Sequence, residues 1–287
     1  MKNNASILCL YAVTPCHAGS GASVGVVDLP IQRERHTNWP VIQASGVKGA
    51  LRAHFDRFKE GIKEKPAQQT FDNLADLVFG SESSDHAGSL SVGDMKILAF
   101  PMRSSAAPFV WITCPAVLKR FNKDLALAGR PVIDLNGLAA LKADQALWIE
   151  GSCKEGDRIL LEDMEVTAAA EMSLGDGSSW FSETERLLIV HDEVFGYGVS
   201  HCTSVMAQIK IDQKTGTTAN GSLRYQEELP ADTLMYSVIF WGDSRDAKES
   251  LKADTIRRYI QEEVVAGHLQ VGGDETLGRG IFSLTWA

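Results

Sequence analysis

A chain of 287 residues, 44% hydrophobic and with a net charge of −9, can build one large domain or two around a substantial core. No stretch approaches the length of a membrane-spanning helix, and the start lacks a basic segment followed by an apolar run and a cleavage site, so a soluble, cytoplasmic protein is expected. Cys9, Cys16, Cys114, Cys153 and Cys202 are odd in number and scattered, which argues against a disulfide framework or zinc site, and the acidic balance opposes nucleic-acid binding unless a local basic groove is set into an acidic body.

An apolar strand over 7–13 opens a stretch, 14–52, that ends inside an amphipathic helix, and the polar loop between is too long for a mere connection. Val24, Val26, Val27, Ile31, Trp39, Val41 and Ile42 give it apolar anchors that a solvated linker lacks, so it reads as an ordered, ligand-handling loop. Here Arg33, Arg35, Lys48 and Arg52 outweigh Asp28 and Glu34. Ser45 is placed to cap a helix starting near Gly46, with Val47, Leu51, Phe55 and Phe58 as its buried stripe. Two local rules are broken in the first turn. Gly46 and Gly49 each cost about 0.5–1 kcal/mol relative to alanine, and Lys48 sets a cation at the positive end of the helix dipole. A bound anion explains both, with backbone N–H groups near a phosphate and Lys48 and Arg52 neutralising it. The alternative is a helix packed tightly on a sheet with its basic face in water.

Residues 60–69, with Gly61 and Pro66, read as a helix end and exposed loop, and 71–79 as a short helix before a turn. Strands are expected over 90–100 and 108–114, able to pair directly, with a bulge near Gly93. Pro115 opens a helix to Leu127 with Val117, Leu118 and Phe121 on one face. Signals weaken from 129 to 179, which reads as an insertion. A strand follows over 186–190. His191, Asp192 and Glu193 have metal-ligand chemistry, but neighbours on a strand face opposite ways, so a solvated strand end is the reading. Residues 206–212 alternate, with Met206, Ile209 and Ile211 as the apolar set, and lead through turn chemistry to 223–229, a protruding β-hairpin. The run 234–241, LMYSVIFW, suits a central strand buried on both faces. Ser244 is placed to cap a helix ending near Gly267 with Ile256, Ile260 and Val264 inward, and a glycine-rich loop precedes a last strand over 280–286. This order is compatible with an elaborated βαββαβ core.

The string His17-Ala-Gly-Ser-Gly21, then Gly25-Val-Val-Asp28-Leu-Pro-Ile-Gln-Arg-Glu-Arg-His36, Pro40-Val-Ile and Ser45-Gly-Val-Lys-Gly-Ala-Leu-Arg52 closely resembles the start of RAMP proteins, the repeat-associated proteins of CRISPR systems. It is most similar to the backbone subunits of type III-B (Cmr) effector complexes. The resemblance extends to Val271-Gly-Gly-Asp-Glu-Thr-Leu-Gly-Arg-Gly280 and to Thr215-Gly-Thr with Gly221-Ser-Leu-Arg-Tyr-Gln-Glu-Glu-Leu-Pro230, whereas residues from about 60 to 185 carry no matching motif. It implies an α+β, ferredoxin-like or RRM-like fold in one RAMP domain, 1–287. The core then takes about 1–60, 90–127, 186–190 and 234–287, with an inserted lid at about 129–180 and a hairpin thumb at about 206–229. Implied partners are guide (CRISPR) RNA, target RNA, copies of the chain and other Cmr-complex subunits.

The resemblance also implies that Asp28 cuts target RNA at regular intervals; taken alone, this aspartate reads as a brace for its own loop. A free aspartate, with a pKa of about 3.9, is a feeble base, so a divalent cation, Mg²⁺ or Mn²⁺, held by Asp28 is the easier role. The 2′-hydroxyl beside the scissile phosphate would be the nucleophile, giving a 2′,3′-cyclic phosphate. His17 is the acid–base candidate, its alternative being a brace for the first strand or an RNA contact. Glu227 and Glu228 could complete a metal site, although an exposed charge run is the default. Gly19, Ser20, Arg33, Arg35, Ser45, Lys48, Arg52, Gly272, Gly273, Gly278, Arg279 and Gly280 are candidates for RNA binding; the glycine segment lacks P-loop spacing and suits a polyanion crossing a sheet. Two other readings compete. One is an inert filament subunit, the other a metal-independent ribonuclease that processes guide precursors through His17.

Overall fold

The computed structural model describes residues 4–58, 71–81, 86–151, 157–245 and 251–287, so the expected loop at 60–69 and Cys153 lie outside it. In chain order the elements are β1 (Ala5–Ala12), β2 (Val41–Ile42), α1 (Ala44–Phe58), α2 (Phe71–Phe79), β3 (Leu90–Val92), β4 (Met95–Arg103) and β5 (Phe109–Thr113). Then come α3 (Pro115–Leu127), β6 (Gln145–Ile149), β7 (Arg158–Leu161), β8 (Met164–Met172), β9 (Leu187–Val190), α4 (Asp192–His201), β10 (Ser204–Gln208) and β11 (Arg224–Glu228). The chain closes with β12 (Leu234–Trp241), α5 (Ala253–Arg258), β13 (His268–Gln270) and β14 (Ile281–Trp286).

Four antiparallel neighbours, β14, β1, β12 and β4, stand at the centre of the sheet. α1 joins the first of them in chain order to the second and α5 the third to the fourth, which is the expected βαββαβ, ferredoxin-like arrangement. The apolar run of β12 is buried except for Phe240, as a strand covered on both faces requires. The break at Gly93 also falls as expected: its N–H donates to Val238 O at 2.8 Å, separating β3 from β4 where both pair with β12. The core closes over Phe55, Phe100, Phe121, Tyr236 and Phe282, all fully buried.

Several local expectations are corrected. α1 begins at Ala44, whose N–H donates to Asp94 Oδ1 at 2.8 Å, so Ser45 lies inside the helix and is not its cap. Phe58 is 49% exposed and drops out of the stripe formed by Val47, Leu51 and Phe55. Ser244 does not cap the last helix either; Asp243 Oδ1 accepts the Ala253 N–H at 2.9 Å, and the helix widens into a π turn over Tyr259–Val264. Its inward residues Ile256, Ile260 and Val264 are as expected.

The segment 129–180, read as a lid, supplies β6, β7 and β8 to the sheet. They follow β9, which lies parallel to β5 outside the four central strands. β7 curls back to the end of β4: Ser105 N–H donates to Leu160 O and Glu162 N–H to Arg103 O, both at 3.0 Å. This return covers a strand edge that would otherwise invite pairing. His191 to Glu193 is not a solvated strand end but the start of α4, with the Glu193 N–H on His191 Nδ1 and Asp192 Oδ1 capping Ala116 in α3. Gly196 and Gly198 hide this helix from propensity. Gly198 is where it meets the sheet, since a Cβ there would stand 3.0 Å from Ile112 Cδ1.

Gly280 has φ +74, and a Cβ on it would fall 2.0 Å from Val271 O. Gly280→Ala is therefore expected to lower stability by more than about 1 kcal/mol, read as a reduced midpoint in urea denaturation; an unchanged midpoint would contradict this packing.

Candidate functional site

The loop after β1 does not float beside the sheet; it runs along β11. Tyr225 N–H donates to Asp28 Oδ2 at 2.7 Å, Leu29 N–H to Tyr225 O at 3.0 Å, Glu227 N–H to Leu29 O at 2.9 Å, and Ile31 N–H to Glu227 Oε2 at 3.0 Å. Residues 28–31 thus form a short parallel rung against the hairpin, with Asp28 at its leading end. Asp28 is half-buried, and its Oδ1 has no hydrogen-bond partner among the described residues. One oxygen braces the loop while the other stays open, so the bracing role does not use up the carboxylate. Val24 and Val26, expected as anchors, are exposed at the loop tip; Ile31, Trp39, Val41 and Ile42 do the anchoring.

Glu227 and Glu228 do not form an exposed charge run. Both are buried, because each has a guanidinium partner. Arg33 reaches Glu227 Oε1 at 2.5 Å, and the Thr203 hydroxyl donates to the same oxygen at 2.7 Å. Burial alone would raise the Glu227 pKa, but Arg33, the Thr203 hydroxyl and the Ile31 N–H outweigh it and hold the carboxyl below the usual range. Arg33, expected as an RNA contact, also donates to Asn38 O and Val199 O, both at 2.8 Å, so its guanidinium is turned inward and taken up within the chain. Arg279 is likewise taken up, with Nε 3.0 Å from Glu228 Oε1.

His17 Nδ1 lies 2.7 Å from Glu227 O, and since a carbonyl only accepts, Nδ1 carries the proton and Nε2 of the neutral ring is an acceptor. The ring lies beside Gly19 and Gly273, whose added Cβ atoms would stand 2.7 Å from Nε2 and 3.8 Å from Cδ2. The glycine segment is buckled to the loop after β1 and to itself: Gly273 N–H donates to His17 O, Gly278 to Glu275 O, Arg279 to Asp274 O and Gly280 to Pro15 O. At Gly272, φ +92 and a Cβ only 2.7 Å from His17 O leave no room for a side chain. Ser20 is spent locally, with its N–H and hydroxyl both on Pro30 O.

A second surface lies on α1. Gly46 and Gly49 have ordinary helical φ; a Cβ on Gly49 would meet nothing within 4 Å, and one on Gly46 would make an ordinary contact. Tight packing on a sheet therefore does not explain them. Asp94 already occupies the helix end, and Arg52 is held by Gly80 O and Asp76 of α2. Lys48, in contrast, makes no ion pair among the described residues, and burial together with nearby Arg52 pushes its pKa down. It lies beside Ser45, Gly46 and Gly49, all exposed. Arg35 is also exposed and without an ion pair among the described residues.

Among the described residues no group of three or more His, Cys, Asp or Glu side chains could hold a metal ion. A single open carboxylate oxygen leaves most of the six-oxygen shell of a Mg²⁺ or Mn²⁺ ion to ligands from outside the chain. Sequence reasoning missed Tyr225, Thr203 and Asp274, the last of which holds Gln226 of β11 at 2.5 Å. It also missed Arg120, which forks onto Glu34 and covers the Trp39 ring. Nothing local marks such partners; Asp28 and Tyr225 are 197 residues apart.

Because its folded pKa is depressed, Glu227 contributes stability above the ordinary glutamate range that is lost as pH falls through the folded value. Glu227→Gln should lower the melting temperature at neutral pH and flatten its fall below about pH 4, measured by calorimetry; parallel pH profiles for the two proteins would refute this account.

The RAMP superfamily matches residues 9–283. The CRISPR system Cmr endoribonuclease Cmr4 of Pyrococcus furiosus is 35% identical over 288 residues, covering 96% of this chain and 93% of its own. The oligomeric Cmr4 crystal structure from the same organism superposes with a TM-score of 0.70 at 27% identity, over 99% of this chain and 98% of that one. A chain of the type III-B Cmr-beta complex bound to cognate target RNA gives a TM-score of 0.75 at 22% identity, over 98% and 96%, a likeness of fold alone.

Proposed function

The chain belongs to the RAMP superfamily, and on that premise we propose that it is the backbone subunit of a type III-B CRISPR effector complex, holding guide RNA and cutting the paired target at Asp28. The observation that carries this reading is the open Oδ1 of Asp28, on a half-exposed loop whose other contacts fix it to the hairpin. Copies assemble head to tail through two different surfaces, a heterologous contact that propagates along a guide.

Asp28 does not act alone as a strong base. Its open oxygen accepts a hydrogen bond from the attacking 2′-hydroxyl, and His17, anchored through Nδ1, presents Nε2 as an acceptor for a proton. Attack by that hydroxyl on the adjacent phosphate breaks the P–O5′ bond, leaving a 2′,3′-cyclic end on one strand and a 5′-hydroxyl on the other, whose oxygen takes up a proton as it departs. The divalent cation expected from the sequence has one protein oxygen to meet, so RNA phosphates and water would supply most of its shell. Cleavage that persists in EDTA would remove the cation from this scheme.

The competing reading, Asp28 as a brace only, rests on its bond from Tyr225. Asp28→Asn decides, since the amide oxygen can keep that bond while the charge is lost. Expected are intact assembly and RNA binding with target cleavage abolished; cutting at the wild-type rate would make Asp28 structural.

For the α1 surface, Lys48→Ala should weaken guide binding equally for all sequences and reduce the salt slope by about one. Gly49→Ala should raise stability by about 0.5–1 kcal/mol yet weaken guide binding, compared by denaturation and by titration. Unaltered binding in both variants would place the guide elsewhere.

A further inference from the structure

We propose that Arg33 is a positioning residue for cleavage: acting through Glu227, it fixes where the hairpin holds Asp28 and so couples the seating of the hairpin to the cutting site. This rests on the reading of Asp28 as the cleaving residue.

The Arg33 side chain is 15% exposed and that of Glu227 9%, so their contact is largely shielded from solvent. The guanidinium reaches three places at once: Asn38 O in its own loop, Val199 O in the last turn of α4, and Glu227 Oε1 in β11. Glu227 then distributes the tie. Oε1 also receives the Thr203 hydroxyl immediately before β10, and Oε2 receives the Ile31 N–H. One ion pair therefore joins the loop, α4 and both strands of the hairpin.

Glu227 Oε2 also closes the rung that carries Asp28 at its other end. Three of that rung's bonds use the backbone or carboxylate of residues 28 and 29, and the fourth depends on the Glu227 carboxylate staying in place. The hairpin is a two-stranded sheet separate from the main one and carries exposed Val205, Met206, Leu223 and Tyr225. Whatever displaces it moves the strand from which Asp28 is hung. Lysine cannot replace the fork, because an ammonium cannot serve three acceptors held in guanidinium geometry.

The test uses the full chain assembled with guide RNA and matched target. Three readouts are taken for Arg33→Met and Arg33→Lys: RNA affinity, the single-turnover cleavage rate at saturation, and amide exchange at Leu29 and Ile31. For Arg33→Met, affinity should hold while the saturated rate falls between about 10- and 100-fold and both amides exchange faster; Arg33→Lys should fall between it and the wild type. A saturated rate that is unchanged, or an affinity that falls while that rate holds, overturns the proposal. So do unaltered amides. Should Arg33→Met not fold, Thr203→Val removes only the hydroxyl on Glu227 and should speed exchange at Ile31 and slow cutting, and failure of both effects overturns the proposal equally. Exchange reads the clamp without cleavage, so a wild type that does not cut defeats the Asp28 reading and this role with it, whereas exchange indifferent to Arg33 defeats the clamp alone.

Discussion

A glutamate below the surface can keep its charge only beside a matched cation, and the region around Glu227 is built on that requirement. Leaving a buried carboxylate unpaired costs several kcal/mol, so Arg33 has to be held inward, and holding it inward draws the loop at 28–40 against the hairpin. Glu34 repeats the device a short way along, where the Arg120 fork and the Thr37 hydroxyl outweigh burial and depress its pKa. The two pairs tie the polar stretch after β1 to β11 on one side and to α3 on the other. A long loop is thereby given the order of a strand without the hydrogen-bond ladder of one.

The same pairs resolve the conflict between an acidic chain and a polyanionic partner. Counted along the sequence, the motif region looks basic. In the folded chain Arg33 and Arg279 face buried carboxylates and Arg52 pairs with Asp76 at the surface, so much of the motif region's positive charge is matched within the chain. Lys48 and Arg35 are left. An RNA strand on such a surface is held by a few phosphate contacts and by close approach to backbone rather than by a broad basic field.

Glycines separate in the same way. Those of the C-terminal segment are demanded by the fold: Gly272 and Gly280 have left-handed φ and neighbours where a side chain would stand. Those of α1 are not, since their φ is helical and the space beside them is open or ordinary. Packing therefore gives no reason for two helix-weakening residues on the α1 face, where alanine would fit.

The sequence by itself determined the elements whose signal is local. β12, α3 and the last strand follow from apolar runs and a proline at a first turn, and the order strand, helix, strands, helix, strand carried the ferredoxin-like core. Motif residues drew attention to the loop after β1. What tertiary structure alone decided were the partners, because a carboxylate's role depends on what lies within about 3 Å of it and those groups are far away in sequence. It turned Arg33 and Arg279 from expected RNA contacts into internal clamps and Glu227 and Glu228 from surface charge into buried anchors. It also made a helix of 192–201 despite two glycines, because Gly198 lets α4 lie against β5, a contact no local propensity records.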